Sequence, residues 1–370
     1  MKRFVIVMLL GLCFVQYLIQ PHAYAAQVVG RAGRRQTQGQ ADMRRSLDGE
    51  SRMVLDAISD GEDLTQSISQ ILRQTKQQQR GAIAEAVAAL TGAAVVMLLC
   101  SCAEAFSKTS RISPLILQLA GALGMPAAVY QTLAGLTSLC RETTEQIQIF
   151  SKSMLPVMTT AIGLSGSPAS AALVYGGTMF ALDLCISLIT GVYIPAVSAY
   201  VAILTVNTAI GNDMLKRLAA CVKWLITGSL KLLLTLFFFY ITISGSVSHG
   251  MDAGAVKAAK FALNSSVPLV GNILSGATDS VLAGAVVLKN SLGVFGMLCI
   301  CAICLVPFLR IGVNYLAFKI GAAVLSPICP KSLSGLADGI ADSIGMIFGM
   351  LGSCSAILFF ELVYSVVMVT

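Results

Sequence analysis

The chain has 370 residues, of which 56% are hydrophobic and 12% charged, and its mean hydropathy is +0.81. Soluble domains carry charge on about a quarter of their residues, so this composition excludes an ordinary soluble fold. The net charge of +7 comes without any basic cluster interleaved with aromatic residues, and no nucleic-acid partner is expected.

Residues 1–25 read as a cleavable signal peptide. Lys2 and Arg3 form a positive start, "FVIVMLLGLCFV" the apolar stretch, and Ala23, Tyr24 and Ala25 a small-x-small cleavage site. An uncleaved first membrane helix is the alternative. On either reading, residues 26–80 are expected outside the cytoplasm as a polar segment. They hold 9 of the 25 Lys and Arg and 7 of the 18 Asp and Glu, whereas the 290 residues after them share 14 and 11. Met53, Ile58, Leu64, Ile68, Ile71 and Leu72 fall at roughly helical spacing there. That spacing predicts amphipathic helices at the membrane surface or against a partner.

From residue 81 to 370 the chain predicts an all-α, polytopic transmembrane helical bundle. Apolar runs at 82–106, 113–137, 169–193, 195–211, 218–247, 281–307, 308–328 and 342–368 approach the roughly 20 residues needed to cross a bilayer. The run at 195–211 is short and could be re-entrant, which gives seven or eight spans. An exported N-terminus places Lys108 and Arg111 on the cytoplasmic side, as the excess of cytoplasmic cations requires. The later groups, Lys216, Arg217 and Lys223, then Lys257 and Lys260, cannot all follow if every run crosses once. Some apolar pieces are therefore expected to dip in and return.

An internal two-fold repeat is suggested by the prolines. "SMLPVM" resembles "SSVPLV", and "YIPAVSAYVAIL" resembles "LVPFLRIGVNYL". Pro156 to Pro195 and Pro268 to Pro307 both span 39 residues, offset by 112. The candidate repeat units are 142–247 and 254–368, an arrangement common in transporters with broken helices.

The stretch "KAAKFALNSSVPLVGN" at 257–272 interrupts the apolar pattern. Asp252 is placed to start a helix and complement its dipole. Lys257, Lys260 and Asn264 then share one face, while Val256, Ala259 and Leu263 share another. Pro268 ends the helix, because its ring removes a donor and fixes φ, and Gly271 follows. An interfacial helix leading into a discontinuous, cavity-lining element and a plain interfacial hairpin both fit this pattern.

Cysteine usage points to packing. Cys13 belongs to the signal, 26–80 contains none, and the other ten lie in or beside apolar runs. Cys299, Cys301 and Cys304 have only apolar neighbours, so small buried hydrophobes fit better than metal ligands.

Asp183, Lys289, Glu361, Glu104 and Lys319 lie in or near apolar runs, where each charge costs about 2.5–3.5 kcal/mol on insertion scales. Lys289 with Asn290 sits among glycines that permit close helix approach. The 112-residue offset carries Asp183 to Phe295, six positions from Lys289, which makes Asp183 its candidate partner. Glu104, Lys108 and Lys319 lie near span ends, where long side chains reach water.

"DAGAVKAAKFALNSSVPLVGNILSGATDSVLAGAVVLKNSLGVFG", with the later "SPICPKSLSGLADGI" and the apolar C-terminal span, resembles the stage III sporulation protein AE family of endospore-forming bacteria. The core K-F-x(6)-P-x-x-G, then D-x(9)-K-N-x-x-G-x-x-G, carries the resemblance, which covers most of 81–370. It implies an integral membrane component of a secretion-like channel complex linking mother cell and forespore, needed for forespore development after engulfment. The implied location is the mother-cell membrane surrounding the forespore. The implied partners are other membrane proteins of the stage III sporulation A operon, a cytoplasmic ATPase, ring-forming proteins of the intermembrane space, and the lipid bilayer. No catalytic residue or cofactor comes with the family.

No phosphate loop, H-E-x-x-H motif or paired intramembrane aspartates occur, so enzymatic activity is not expected. A stand-alone secondary transporter and a non-conducting membrane scaffold remain as alternatives. The candidate pore-lining or structural-switch positions are Asp183, Asp252, Lys257, Lys260, Asn264, Pro268, Gly271, Asp279, Lys289, Asn290, Gly293 and Gly296.

Overall fold

The computed structural model describes residues 84, 86–104, 114–164, 168–266 and 271–367. For 114–115, 164, 168–170, 174, 245–266, 271–285, 288–289 and 367 it describes the backbone alone. The expected signal peptide, the amphipathic segment 26–80 and Pro268 lie outside these residues.

The helices in chain order are α1 (Ala86–Glu104), α2 (Pro114–Leu164), α3 (Pro168–Leu188), α4 (Ile194–Ile210), α5 (Asp213–Ser266), α6 (Gly271–Leu325) and α7 (Lys331–Val367). Among the described residues there is no strand. Six segments among the described residues are long and apolar enough to cross a membrane: Ala86–Glu104, Ile116–Gly163, Ala171–Ile210, Asp213–Ser244, Asn290–Leu325 and Lys331–Val366.

Six segments instead of seven or eight follow from two mergers at prolines. The runs 281–307 and 308–328 form one helix, α6, with Pro307 inside it. Proline costs one backbone hydrogen bond, but neighbouring helices hold such a site straight enough to continue, and Pro307 is buried. The runs 169–193 and 195–211 are joined by a π-helical turn, Ile189–Tyr193, in which the Ile194 amide donates to the Ile189 carbonyl. Pro195 then sits in the first turn of α4, where its missing N–H is harmless. The wide turn absorbs the mismatch that would otherwise break the helix. Pro195 and Pro307, paired by the proposed repeat, thus occupy different local settings.

The stretch around Lys257 also differs from expectation. Asp252 does not begin a helix; it lies well inside α5, which starts at Asp213. The polar segment "SGSVSHGMDAG" contains no proline, so the helical hydrogen bonds continue through it. Lys257, Lys260 and Asn264 ride on the far part of the same helix that forms the span.

Tight connections set the directions. Gly211 takes the left-handed conformation (φ 71°) and its amide donates to the Asn207 carbonyl at 2.7 Å. This is the conformation glycine adopts without steric penalty. The next residue, Asn212, accepts at its Oδ1 from the Met214 amide at 2.9 Å and caps α5. Residues 326–330 reverse the chain between α6 and α7, with the Ile328 and Cys329 amides both donating to the Leu325 carbonyl at 3.1 Å.

At this end of the bundle Ser101 of α1 donates to the Ile328 carbonyl at 2.7 Å, and Gln118 of α2 donates to the Thr208 carbonyl at 2.6 Å. At the opposite end Tyr240 of α5 donates to the Leu173 carbonyl at 2.6 Å. The membrane-length segments therefore alternate in direction, with α3 and α4 running on as one. The centre is α7, which packs against α2, α3, α4, α5 and α6. Of its apolar window 61% is buried, against 22% for α1 and for α5. Ile340, Ile344, Ile347, Met350, Leu351, Cys354, Ile357, Leu358 and Leu362 are all fully buried. A helix apolar all round is the kind that sits inside a bundle.

Candidate functional site

Two polar places stand out in the described bundle. The first lies near the end formed by the α4–α5 and α6–α7 connections. Asp338 and Asp342, four residues apart, share one face of α7. Lys223 of α5 donates to Asp342 Oδ2 at 2.5 Å. Lys319 of α6 donates to Asp338 Oδ1 at 2.8 Å and to Asp342 Oδ1 at 3.4 Å. Tyr200 of α4 and Tyr315 of α6 lie within electrostatic range of these charges. Asp342 is the hub, with its side chain 24% exposed against 41–51% for the other three. Four helices thus meet around two cations and two anions.

The sequence reading has Lys319 as a snorkelling side chain and does not single out Asp338 or Asp342. The partners are 19, 23 and 119 positions apart, so no local pattern joins them. The usable signal is "ADGIAD", two aspartates at helical spacing in an apolar run.

The second place is where α6 crosses α7 and α2. Gly293 and Gly296 are buried there. A Cβ on Gly293 would run into Val366, and one on Gly296 would meet Met154 Sδ at 2.8 Å and Leu362 Cδ1 at 3.1 Å. Small residues let these backbones approach, which is how helices gain packing energy in a bilayer. Asn290, one turn before Gly293, has its Oδ1 buried without a hydrogen-bond partner. Glu361 of α7 is 1% exposed, and its Oε1 accepts from Ser365 Oγ at 3.0 Å.

The other expected positions scatter. Asp183 is exposed on α3 and accepts from Gln148 Nε2 at 3.0 Å. Its expected partner, Lys289, lies on α6 with its side chain outside the described residues, as does that of Asp279. The same holds for Asp252, Lys257, Lys260 and Asn264 on α5. Gly271 opens α6. Gly293 and Gly296 are the expected positions that the structure brings together.

Cys140, Cys185, Cys299, Cys304, Cys329 and Cys354 are buried, in keeping with small apolar side chains, while Cys102, Cys221 and Cys301 face outward. Cys354 of α7 and Cys185 of α3 place their sulfurs 3.4 Å apart. Burial, with a smaller effect from Cys100, pushes the Cys329 thiol up from its ordinary value. No group of three or more His, Cys, Asp or Glu among the described residues is placed to hold a metal ion.

Comparison with known proteins fits this architecture to a family. No solved structure matches the chain. The Stage III sporulation protein AE of Bacillus subtilis (strain 168) is 28% identical over 224 residues, or 59% of this chain and 56% of that relative. The match therefore spans little more than half the length of that relative. The family described as Stage III sporulation protein AE matches residues 51–370, and the chain belongs to it.

Proposed function

We propose that this chain is the multi-spanning membrane component of a sporulation-specific, secretion-like channel complex joining mother cell and forespore, needed for forespore development after engulfment. The observation that carries this reading is the family match over residues 51–370, on a chain whose described residues include six helices long and apolar enough to span a bilayer. The lengths of α2, α5 and α6 support work inside an assembly. At 51, 54 and 55 residues they run about 75–85 Å, against about 30 Å of hydrocarbon. Much of each helix is thus available to partners beyond the lipid.

A signal peptide would export residues 26–80 and place the start of α1 outside the mother-cell cytoplasm. The end bearing the α4–α5 and α6–α7 connections is then cytoplasmic. Lys216, Arg217 and Lys331 lie at that end, which agrees with the excess of cations expected on the cytoplasmic side. The partners in this reading are a cytoplasmic ATPase, the other membrane proteins of the same operon and ring-forming proteins of the intermembrane space.

The test is affinity purification of a tagged full-length chain from cross-linked sporulating cells. Recovery of an ATPase and membrane partners from the mother-cell membrane is the expected result. Recovery of the chain alone, with solute flux through the reconstituted protein, would establish a stand-alone transporter. Export of residues 26–80 is checked with Gln38→Cys, which should react with an impermeant thiol reagent on intact cells. Reaction only after lysis would place the segment inside.

A further inference from the structure

Glu361 sits in the last third of the most buried helix and is 1% exposed, with Leu358, Leu362 and Ser365 around it on α7 at 0%, 0% and 1%. One carboxyl oxygen accepts from Ser365 Oγ at 3.0 Å, while Oε2 is buried with no hydrogen-bond partner. The described ionisable side chains on the helices packed against this part of α7 are otherwise engaged, exposed or uncharged. Asp183 of α3 is exposed and bonded to Gln148, and Lys152 of α2 is exposed. Tyr240 of α5 donates to the Leu173 carbonyl, and Tyr193, at the α3–α4 junction, donates to Ser229. Cys140, Cys185 and Cys304 are thiols in apolar packing. The side chains of Lys289 and Asp279 on α6 are outside the described residues.

Among the described residues no counter-charge meets Oε2, and one hydroxyl donor does not sustain a bare carboxylate in such a place. Hard metal cations take about six oxygen ligands, and this site offers two carboxyl oxygens and one hydroxyl. A proton needs only the free lone pair of Oε2. We infer that Glu361 is a proton-binding site inside the membrane bundle, holding one exchangeable proton on its orphaned carboxyl oxygen where α7 packs against α2 and α6. The site is seated beside the crossing at which Gly296 meets Leu362 and Met154. The proton therefore belongs to a close helix contact in this half of the molecule.

The test is infrared spectroscopy of the full chain in phosphatidylcholine bilayers at neutral pH, with carboxyl-13C glutamate incorporated. A protonated-acid carbonyl stretch should appear in the wild type. It should move with 13C-glutamate and not with 13C-aspartate, shift in D2O, and vanish in Glu361→Gln of unchanged helix content. If Glu361→Gln does not fold, Glu361→Asp should transfer the isotope sensitivity from the glutamate to the aspartate label. Absence of a glutamate-sensitive acid band in the labelled wild type would overturn the proposal without any variant. So would a band that survives in folded Glu361→Gln.

Discussion

Gly296 and Gly335 lie on neighbouring helices and differ only in what surrounds them. A Cβ on Gly296 would press on Met154 and Leu362, whereas nothing lies within 4 Å of the corresponding position at Gly335. Gly296→Leu forces atoms into a closed crossing and should destabilise the protein by about 1–3 kcal/mol. Gly335→Ala only removes backbone freedom from a helix interior and should stabilise by about 0.5–1 kcal/mol. Unfolding in mixed micelles measures both, and equal effects at the two sites would refute the packing argument. The Asp342 hub is a weaker element, because Lys223 and Lys319 are each more than two-fifths exposed. A double-mutant cycle of Asp342→Asn with Lys223→Gln should give a coupling below about 1 kcal/mol. The glycines are legible in the sequence as small residues spaced on one helix. Met154, 142 positions away in the chain, is not, because no local pattern encodes a partner across a fold.

The elements are legible as apolar runs, and their boundaries go astray where proline is read as a stop. That rule holds in water, where a broken helix finds new hydrogen-bond partners at once. In a bundle the neighbours keep the chain helical across Pro307, and a π turn carries it past Pro195. Asp252 misleads for a related reason: an aspartate at a helix start and one in a long helix interior look alike in sequence. The packing of α3 on α7 is testable through two residues whose burial the sequence indicates but whose pairing it does not. Cys185 and Cys354 present their sulfurs at 3.4 Å. Oxidation with copper–phenanthroline in membranes should link the proteolytic fragments carrying residues 185 and 354, and Cys185→Ser should abolish the link. Preferential linkage of Cys354 to Cys102 or Cys221 would contradict the helix arrangement.

Alternating helices make a prediction about the whole molecule. The α4–α5 connection and the α6–α7 turn gather at one end with the close of α1 and the start of α2, through Ser101 with Ile328 and Gln118 with Thr208. The close of α2 falls at the other end, since Met158 lies by Gly293 and Val366. A six-span arrangement therefore puts Asn212 and Ser326 on one side of the membrane and Thr160 on the other. The eight-run reading, with dips between crossings, does not require that division. Cysteine replacements at Asn212, Ser326 and Thr160, all exposed, should separate two against one when right-side-out and inverted vesicles meet an impermeant thiol reagent. Site-resolved mass spectrometry distinguishes each from the native thiols. Cys329, three residues from the Ser326 probe, contributes little background, because burial keeps its thiol protonated and a thiol reacts as its thiolate. If Asn212→Cys and Ser326→Cys label from opposite faces, α5 and α6 do not form a paired crossing. If Thr160→Cys labels with them, α2 does not cross at all. Either result would require a different path for the chain through the bilayer, and with it a different side for the Lys223–Asp342–Lys319 cluster.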